Sequence, residues 1–202
     1  MRIGFDAPRI LDFDIEARPL GWYGGDWVHK EPTAIAVAWI VDGEPTDLDC
    51  HLLTRRRGSG RAMLRWFRSL YDQADIVTGH YIRGFDLPVL NGAMYEYDLG
   101  PLDPKMAHDT KLDEIKIQGL SGSQENRGAM LGVVAPKVGM TMADWREANR
   151  LTTKGLDLVR ERAVGDVVQH AYMREEQMRR GFLGPPQVWD PGGSGPSGGY
   201  TP

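Results

Sequence analysis

The sequence predicts an α/β protein, because runs with the periodicity of β-strands alternate with longer runs that have helical periodicity. Three strand patterns occupy residues 9–53, and a tight turn at Asp42-Gly43 joins the second to the third as a hairpin. Two shorter strand patterns follow later in the chain, separated by helical segments. With 202 residues, 41% hydrophobic and 26% charged, the chain has the length and composition of one ordinary globular domain.

Each predicted element has its own local signal. The first strand alternates apolar and acidic side chains, and the second is almost continuously apolar, as in a buried strand. Helices are predicted where apolar residues recur every three or four positions behind a capping residue. The predicted strands cover residues 9–16, 33–41, 47–53, 76–78 and 106–110. The predicted helices cover residues 61–74, 91–97 and 112–117, a segment from a cap at Ser121 or Ser123 to Leu131, a stretch around Trp145, and residues 155–180.

The composition also bounds the environment of the protein. Residues 183–202 are rich in glycine and proline and offer little to bury, so we expect a domain over residues 1–182 and a disordered tail. A single cysteine, Cys50, excludes an internal disulfide and suits a reducing compartment. No apolar run has the length of a signal peptide or of a membrane span, so we expect a cytoplasmic protein with no membrane partner.

The net charge of −4 provides no general attraction to nucleic acid. Binding to nucleic acid would therefore require a local basic patch. The strongest candidate is Arg55-Arg56-Arg57 with the arginines of the helix that follows, although a solvated helix face is the commoner explanation of such a run. Trp22 and Tyr23 lie in a glycine-rich loop, where they would either stack on bases or fold onto the core.

The first predicted strand carries several acids on one face. In residues 9–16 the side chains of Asp12, Asp14 and Glu16 alternate with apolar ones and so point to the same side. Like charges at this spacing repel, and a divalent cation is the simplest compensation. Oxygen ligands favour Mg²⁺ or Mn²⁺ over zinc. An exposed edge strand with its acids in water is the alternative.

Two further acids are candidates for the same site. Asp86 precedes Leu87-Pro88 at the start of a predicted helix, where an aspartate also fits a purely structural role beside the positive end of the helix dipole. Asp166 lies in the middle of the last predicted helix among valines, so we expect it near the packed side with a partner.

The order of these acids resembles the three motifs of the DnaQ-like 3′-5′ exonucleases, the four-carboxylate group of the ribonuclease H-like superfamily. The matching segments are 13–16 (Phe-Asp-Ile-Glu), 79–88 (Gly-His-Tyr-Ile-Arg-Gly-Phe-Asp-Leu-Pro) and 165–167 (Gly-Asp-Val). The resemblance spans about residues 9–173. It implies a ribonuclease H-like α/β fold, with a mixed five-stranded sheet, helices on both faces and the Asp-x-Glu strand in the centre.

The resemblance also implies a site. Asp14, Glu16, Asp86 and Asp166 would ligate two Mg²⁺ or Mn²⁺ ions. The implied activity is removal of nucleoside 5′-monophosphates from 3′ ends of single-stranded or frayed DNA, in replication or repair. The lack of a polymerase segment favours a stand-alone enzyme or a subunit that has a polymerase or other replication protein as partner.

Two positions depart from the family pattern. Relatives place a His five residues, or a Tyr four residues, before the last Asp, and this sequence has Glu161 and Arg162 there. Arginine cannot accept a proton at working pH, so Arg162 is a candidate for holding the scissile phosphate. His170, one turn after Asp166, is a candidate base, with a packed or surface histidine as the alternative.

The second motif also differs, because Tyr81 replaces the Asn that follows Gly-His in many relatives. In this motif His80 and Phe85 are candidates for contacting substrate. Asp109 fits a helix cap better than a ligand. Two other functions remain open: a 3′-5′ exoribonuclease, and a nuclease-like module that binds nucleic acid with weak or no catalysis.

Overall fold

The computed structural model describes residues 7–20, 30–117, 119–133 and 138–192. In these ranges the chain forms six strands and five helices. The strands are β1 (Ile10–Pro19), β2 (Lys30–Val41), β3 (Glu44–Leu52), β4 (Ile76–Gly79), β5 (Lys105–Asp109) and β6 (Gln187–Trp189). The helices are α1 (Ser59–Gln73), α2 (Asp86–Glu96), α3 (Gln124–Leu131), α4 (Met142–Asn149) and α5 (Thr153–Arg179).

The strands form one mixed sheet in the order β3-β2-β1-β4-β5-β6. The β1, β2 and β3 strands pair antiparallel as sequential neighbours, β4 and β5 run parallel to β1, and β6 closes the far edge antiparallel to β5. The β1 strand therefore lies in the middle of the sheet. Its central position brings helices over both of its faces.

The alternation of β1 divides its side chains between two layers. Phe13 packs with Leu64 and Phe67 of α1 in the larger hydrophobic core, and the Phe13 and Phe67 ring centroids are 5.1 Å apart. On the opposite face, alanines of β2 pack against α5 around Val159 and Ala163. These small side chains bring α5 close to the sheet, on the face where the acids of β1 point.

Two expectations about the later part of the chain are wrong. No helix forms over residues 112–117: Asp113 and Asp109 instead exchange backbone and side-chain hydrogen bonds, and Glu114 forms a bridge with Leu183. The segment expected to be a disordered tail contains β6. It is ordered because β5 offers an open edge and Trp189 is only 9% exposed. Residues 193–202 lie outside the described residues.

None of the helices in the described ranges combines the length and the apolar character that crossing a membrane requires.

Candidate metal centre

The four acids that the motif resemblance implies as metal ligands, Asp14, Glu16, Asp86 and Asp166, line one pocket of about 280 Å³. The pocket lies at the C-terminal end of β1, where the strand meets the start of α2 and the middle of α5. Of the residues predicted for the site, it is lined by Asp14, Glu16, His80, Phe85, Asp86, Arg162 and Asp166. The fold thus brings together acids that are as far apart as residues 14 and 166 in the sequence.

The strand β1 and the helix α5 face each other in an antiparallel register that builds the site. Two residues along a strand advance about 6.8 Å, and four residues along a helix advance about 6.0 Å, so side chains can meet in successive pairs. Three pairs result: Asp12 with His170, Asp14 with Asp166, and Glu16 with Arg162. We call these the outer, middle and inner pairs of the β1–α5 ladder.

The middle pair is the one in which two acids face each other. Carboxylate oxygens of Asp14, Glu16 and Asp166 all lie within 4.8 Å of one another. Burial raises the pKa of Asp14 well above its ordinary value, and the negative charges of Asp86, Glu16 and Asp166 raise it further. Asp14 therefore resists ionising beside these acids unless positive charge is supplied.

Asp86 reaches the same pocket from the first turn of α2. Its Oδ1 accepts a hydrogen bond of 3.1 Å from the backbone N–H of Ile15, which fixes the carboxyl beside β1. Burial raises the pKa of Asp86 to about 7, although the hydrogen bonds from the backbone at Ile15 and at Asp86 itself oppose the shift. A group with this pKa changes its charge readily when a cation approaches.

Arg162 supplies positive charge to the inner pair. Its Nε donates to Glu16 Oε1 at 2.6 Å, and its second terminal nitrogen lies 3.5 Å from Asp166 Oδ2. The guanidinium also lies 5.6 Å from the centre of the Trp145 ring. Burial alone would lower the pKa of Arg162, but the acids around it raise the pKa on balance, so the side chain stays charged. This contact with two candidate ligands was not expected from the sequence.

His170 does not reach the pocket as a base. Its Nδ1 is 2.6 Å from Asp12 Oδ2 and its Nε2 is 3.0 Å from Thr110 Oγ1, with His170 and Asp12 almost fully buried. Both ring nitrogens are occupied in the protein interior, so the contacts favour the packed histidine over the candidate base. The ring instead joins the outer pair of the ladder to β5. The alternation of β1 already placed Asp12 on the acidic face, and this was the available signal for the pair.

His80 lines the pocket and is held on both sides of its ring. Its Nδ1 lies 3.0 Å from Thr110 Oγ1 and its Nε2 lies 2.9 Å from the carbonyl oxygen of Gly122. Burial lowers the pKa of His80 to about 4, so the ring is neutral at pH 7. A neutral ring donates from Nε2 to the carbonyl and accepts from the Thr110 hydroxyl at Nδ1.

Asp109 organises the loop that carries the second motif. Its carboxylate accepts backbone hydrogen bonds from Tyr81 and Arg83 in that loop, and from Lys111 and Leu112 in its own turn. Because four backbone N–H groups donate to this carboxylate, its role is to hold the loop in place. These contacts favour a structural role for Asp109 over a ligand, although the helix that it was expected to cap does not form.

Of the other residues predicted to contact substrate, one lies at the pocket and two lie outside the described residues. Phe85 lines the pocket, and the ammonium group of Lys30 lies 4.3 Å from the centre of its ring. Lys111, which sequence reasoning missed, also lines the pocket and lies 4.1 Å from the ring centre of Tyr81. Trp22 and Tyr23 lie outside the described residues.

The donor set suits a hard divalent cation. The candidate ligand atoms are all carboxylate oxygens, which is the set that Mg²⁺ and Mn²⁺ prefer and zinc does not require. A cation at the middle pair would also relieve the repulsion that raises the pKa of Asp14. The residues present therefore fit a metal centre.

Comparison with known proteins supports the fold. No family model matches the sequence, and no curated protein matches it significantly. Among solved structures, the chain is similar to the family B DNA polymerase of the hyperthermophilic archaeon Pyrobaculum calidifontis, with a TM-score of 0.63 and 18% identity. The match covers 88% of this chain and 25% of the polymerase chain, so this chain spans about a quarter of the length of that protein.

The sheet topology and the structural comparison agree on the fold. The protein has an α/β fold of the ribonuclease H-like type, as predicted, with one strand more than the five expected. An acidic cluster that could bind metal lies at its central strand.

Proposed function

We propose that this protein is a 3′-5′ exonuclease that depends on two divalent cations, Mg²⁺ or Mn²⁺. It removes nucleoside 5′-monophosphates from the 3′ ends of single-stranded or frayed DNA, in replication or repair in the cytoplasm. The observation that carries the proposal is the middle pair of the β1–α5 ladder, where Asp14 and Asp166 face each other beside Glu16. The likeness to a DNA polymerase adds support for DNA as substrate and for a replication protein as partner.

The residues that line the pocket have different roles in this proposal. Asp14, Glu16 and Asp166, with Asp86 beside them, would hold the cations. A pair of such ions activates water and stabilises the leaving oxygen of an in-line displacement at phosphorus. Phe85 offers an aromatic face in the same pocket for the terminal base.

Arg162 would bind the substrate instead of the metal. Arg162 donates a hydrogen bond to Glu16, and with Glu16 as a metal ligand this attraction would be weaker. The donors of the guanidinium, which lines the pocket, would then suit a phosphate oxygen. Arg162 would therefore hold the scissile phosphate, not remove a proton from water.

The same contact favours a second candidate function, a nucleic-acid-binding module with weak or no catalysis. If Arg162 keeps Glu16 as its partner, the acidic pocket already contains a neutralising positive charge. The pocket could then bind a strand end without a full set of metal ligands.

The test uses DNA and RNA oligonucleotides of one sequence, labelled at the 3′ end, with Mg²⁺, Mn²⁺ or EDTA. We expect early release of the labelled mononucleotide from DNA only when metal is present. Faster release from RNA would instead identify an exoribonuclease. Asp14→Asn and Asp166→Asn should abolish release, while Asp157→Asn, an exposed site on α5, should not. Strand binding without cleavage in every metal would refute the exonuclease and support the binding module.

A further inference from the structure

A second pocket, of about 420 Å³, lies beside the C-terminal end of β1, between the start of α1 and the turn from α4 to α5. We call it the arginine pocket. Four arginines line it, Arg18, Arg55, Arg56 and Arg150, against one acid, Glu31. Four positive charges and one negative charge leave an excess of three positive charges. This excess is notable because the whole chain carries a net charge of −4.

Two of these arginines are used by the fold. Arg18 forms a salt bridge of 2.6 Å with Glu31 and donates to the carbonyl oxygen of Asn149 at 2.8 Å. Arg55 donates to the carbonyl oxygen of Arg150 at 2.8 Å, which ties the start of α1 to the turn between α4 and α5. These contacts hold the walls of the pocket in place.

The remaining charges are available to a ligand. Arg56 and Arg150 are exposed, and neither guanidinium has a hydrogen bond or ion pair with any residue of the described ranges. Arg57 is also exposed and lines an adjoining cavity that shares Arg56. Three guanidinium groups without acidic partners therefore lie close together on one surface.

The start of α1 adds to the positive potential. Gly58 caps the helix without a side-chain hydrogen bond, and its φ of 81° belongs to the left-handed region that favours glycine. The first turn of α1 contains no acidic residue. The backbone N–H groups at this end of the helix thus reinforce the arginines in attracting an anion.

The arginine pocket is linked to the acidic pocket by a single strand. Glu16 and Arg18 are two residues apart on β1, at most roughly 7 Å along the strand, with an irregularity in the pairing between Glu16 and Ala17. A polyanion with one end among the acids could extend along β1 to this excess of positive charge. One guanidinium group can donate two parallel hydrogen bonds to the oxygens of a phosphate diester. A phosphate backbone is therefore the ligand that this pocket suits best.

We propose that the arginine pocket binds backbone phosphates of the nucleic-acid strand whose 3′ end enters the acidic pocket. This inference rests on the proposed function. The contacts involve charge and not base edges, so they hold strands of any sequence and weaken as salt is added. The pocket accounts for how an acidic protein retains a polyanion.

The test compares strand binding by two variants of the whole protein with the same change in charge. The first is Arg56→Gln/Arg57→Gln/Arg150→Gln. The control is Lys116→Gln/Arg179→Gln/Arg180→Gln, which changes exposed residues near the opposite end of α5. Fluorescence anisotropy of a labelled single strand is followed over a salt series in Ca²⁺.

We expect the first variant to bind about tenfold more weakly at low salt. The slope of log affinity against log salt should fall by up to about 2, since each phosphate neutralised on a single strand contributes roughly 0.7. The control should retain the affinity and the slope of the unmodified protein. Equal affinity and slope in all three proteins would overturn the inference.

A small substrate separates this inference from the proposed function. The p-nitrophenyl ester of thymidine 5′-monophosphate reaches the acidic pocket alone, so the first variant should hydrolyse it with unchanged kcat/KM. Unchanged ester hydrolysis with unchanged strand binding would reject the arginine pocket and leave the exonuclease intact. No ester hydrolysis by any protein, with weaker strand binding by the first variant, would reject the exonuclease alone. Loss of thermal stabilisation by inorganic triphosphate, with strand binding intact, would assign the pocket to a free polyphosphate and overturn the inference.

Discussion

The pH dependence of stability tests the acidic pocket directly, through the variant Asp86→Asn. Burial raises the pKa of Asp86 from 3.8 to about 7. In the metal-free protein the folded state therefore keeps a proton that the unfolded chain releases, and stability falls as pH rises from the unfolded pKa through the folded pKa. At about 1.4 kcal/mol per pKa unit, the shift corresponds to roughly 4 kcal/mol across this window.

The asparagine retains an oxygen that can accept the Ile15 N–H and removes the titration. We expect its free energy of unfolding, measured by urea denaturation in EDTA from about pH 4 to 8, to fall less with rising pH than that of the unmodified protein. The difference should be at least about 4 kcal/mol, since loss of the Asp86 charge also lowers the raised pKa of Asp14, which acts with the same sign.

The variant His80→Gln is the control of opposite sign. Burial lowers the pKa of His80 from 6.5 to about 4, so its contribution is lost as pH falls through this range. Removing the ring should therefore reduce, by about 3 kcal/mol, the amount by which the free energy of unfolding falls as the pH is lowered through this range. If Asp86→Asn keeps the original pH dependence, or if both variants change it in one direction, the raised pKa of Asp86 is refuted.

Two further predictions concern Arg162 and β6. Arg162→Gln removes a charge-assisted hydrogen bond worth about 1.5 to 3 kcal/mol, so Mn²⁺ should bind at least about tenfold more tightly in calorimetry, whereas Arg160→Gln should bind as before. Equal Mn²⁺ affinity in the Arg162 variant would show that the guanidinium does not compete with metal. Trp189→Ala should lower the free energy of unfolding by about 3 kcal/mol, while Val188→Ala, at an exposed position of the same strand, should change it by less than about 0.5 kcal/mol. Similar losses from both variants would contradict the packing of β6 through Trp189.

The parts of the fold that sequence reasoning predicted are those whose signals are local. The β1 strand shows its alternation within a few residues, and α5 shows helical spacing over 27 residues. The β6 strand has no such signal, because its three residues are ordered by the open edge of β5 and by burial of Trp189. The turn at residues 112–117 likewise depends on contacts with distant segments, such as that between Glu114 and Leu183.

The candidate site was predictable in its acids and not in its arginine. The motif resemblance located Asp14, Glu16 and Asp166, which the fold brings within 4.8 Å of one another. The partner of Arg162 depends on the register between β1 and α5, and one sequence does not specify how far a helix is shifted along a sheet. The same register removes His170 from the pocket, because it aligns the ring with Asp12.

The register of the β1–α5 ladder also explains why a cation would bind at its middle. The outer pair joins an acid to a histidine and the inner pair joins an acid to an arginine, so both contain a potential positive charge. The middle pair places acid against acid; Arg162, 3.5 Å from Asp166 Oδ2, relieves part of the repulsion, and a cation would relieve more of it. Glu16 belongs to the inner pair and also lies within reach of that middle position. The competition between Arg162 and a cation for Glu16 therefore decides which of the two proposed functions the pocket performs.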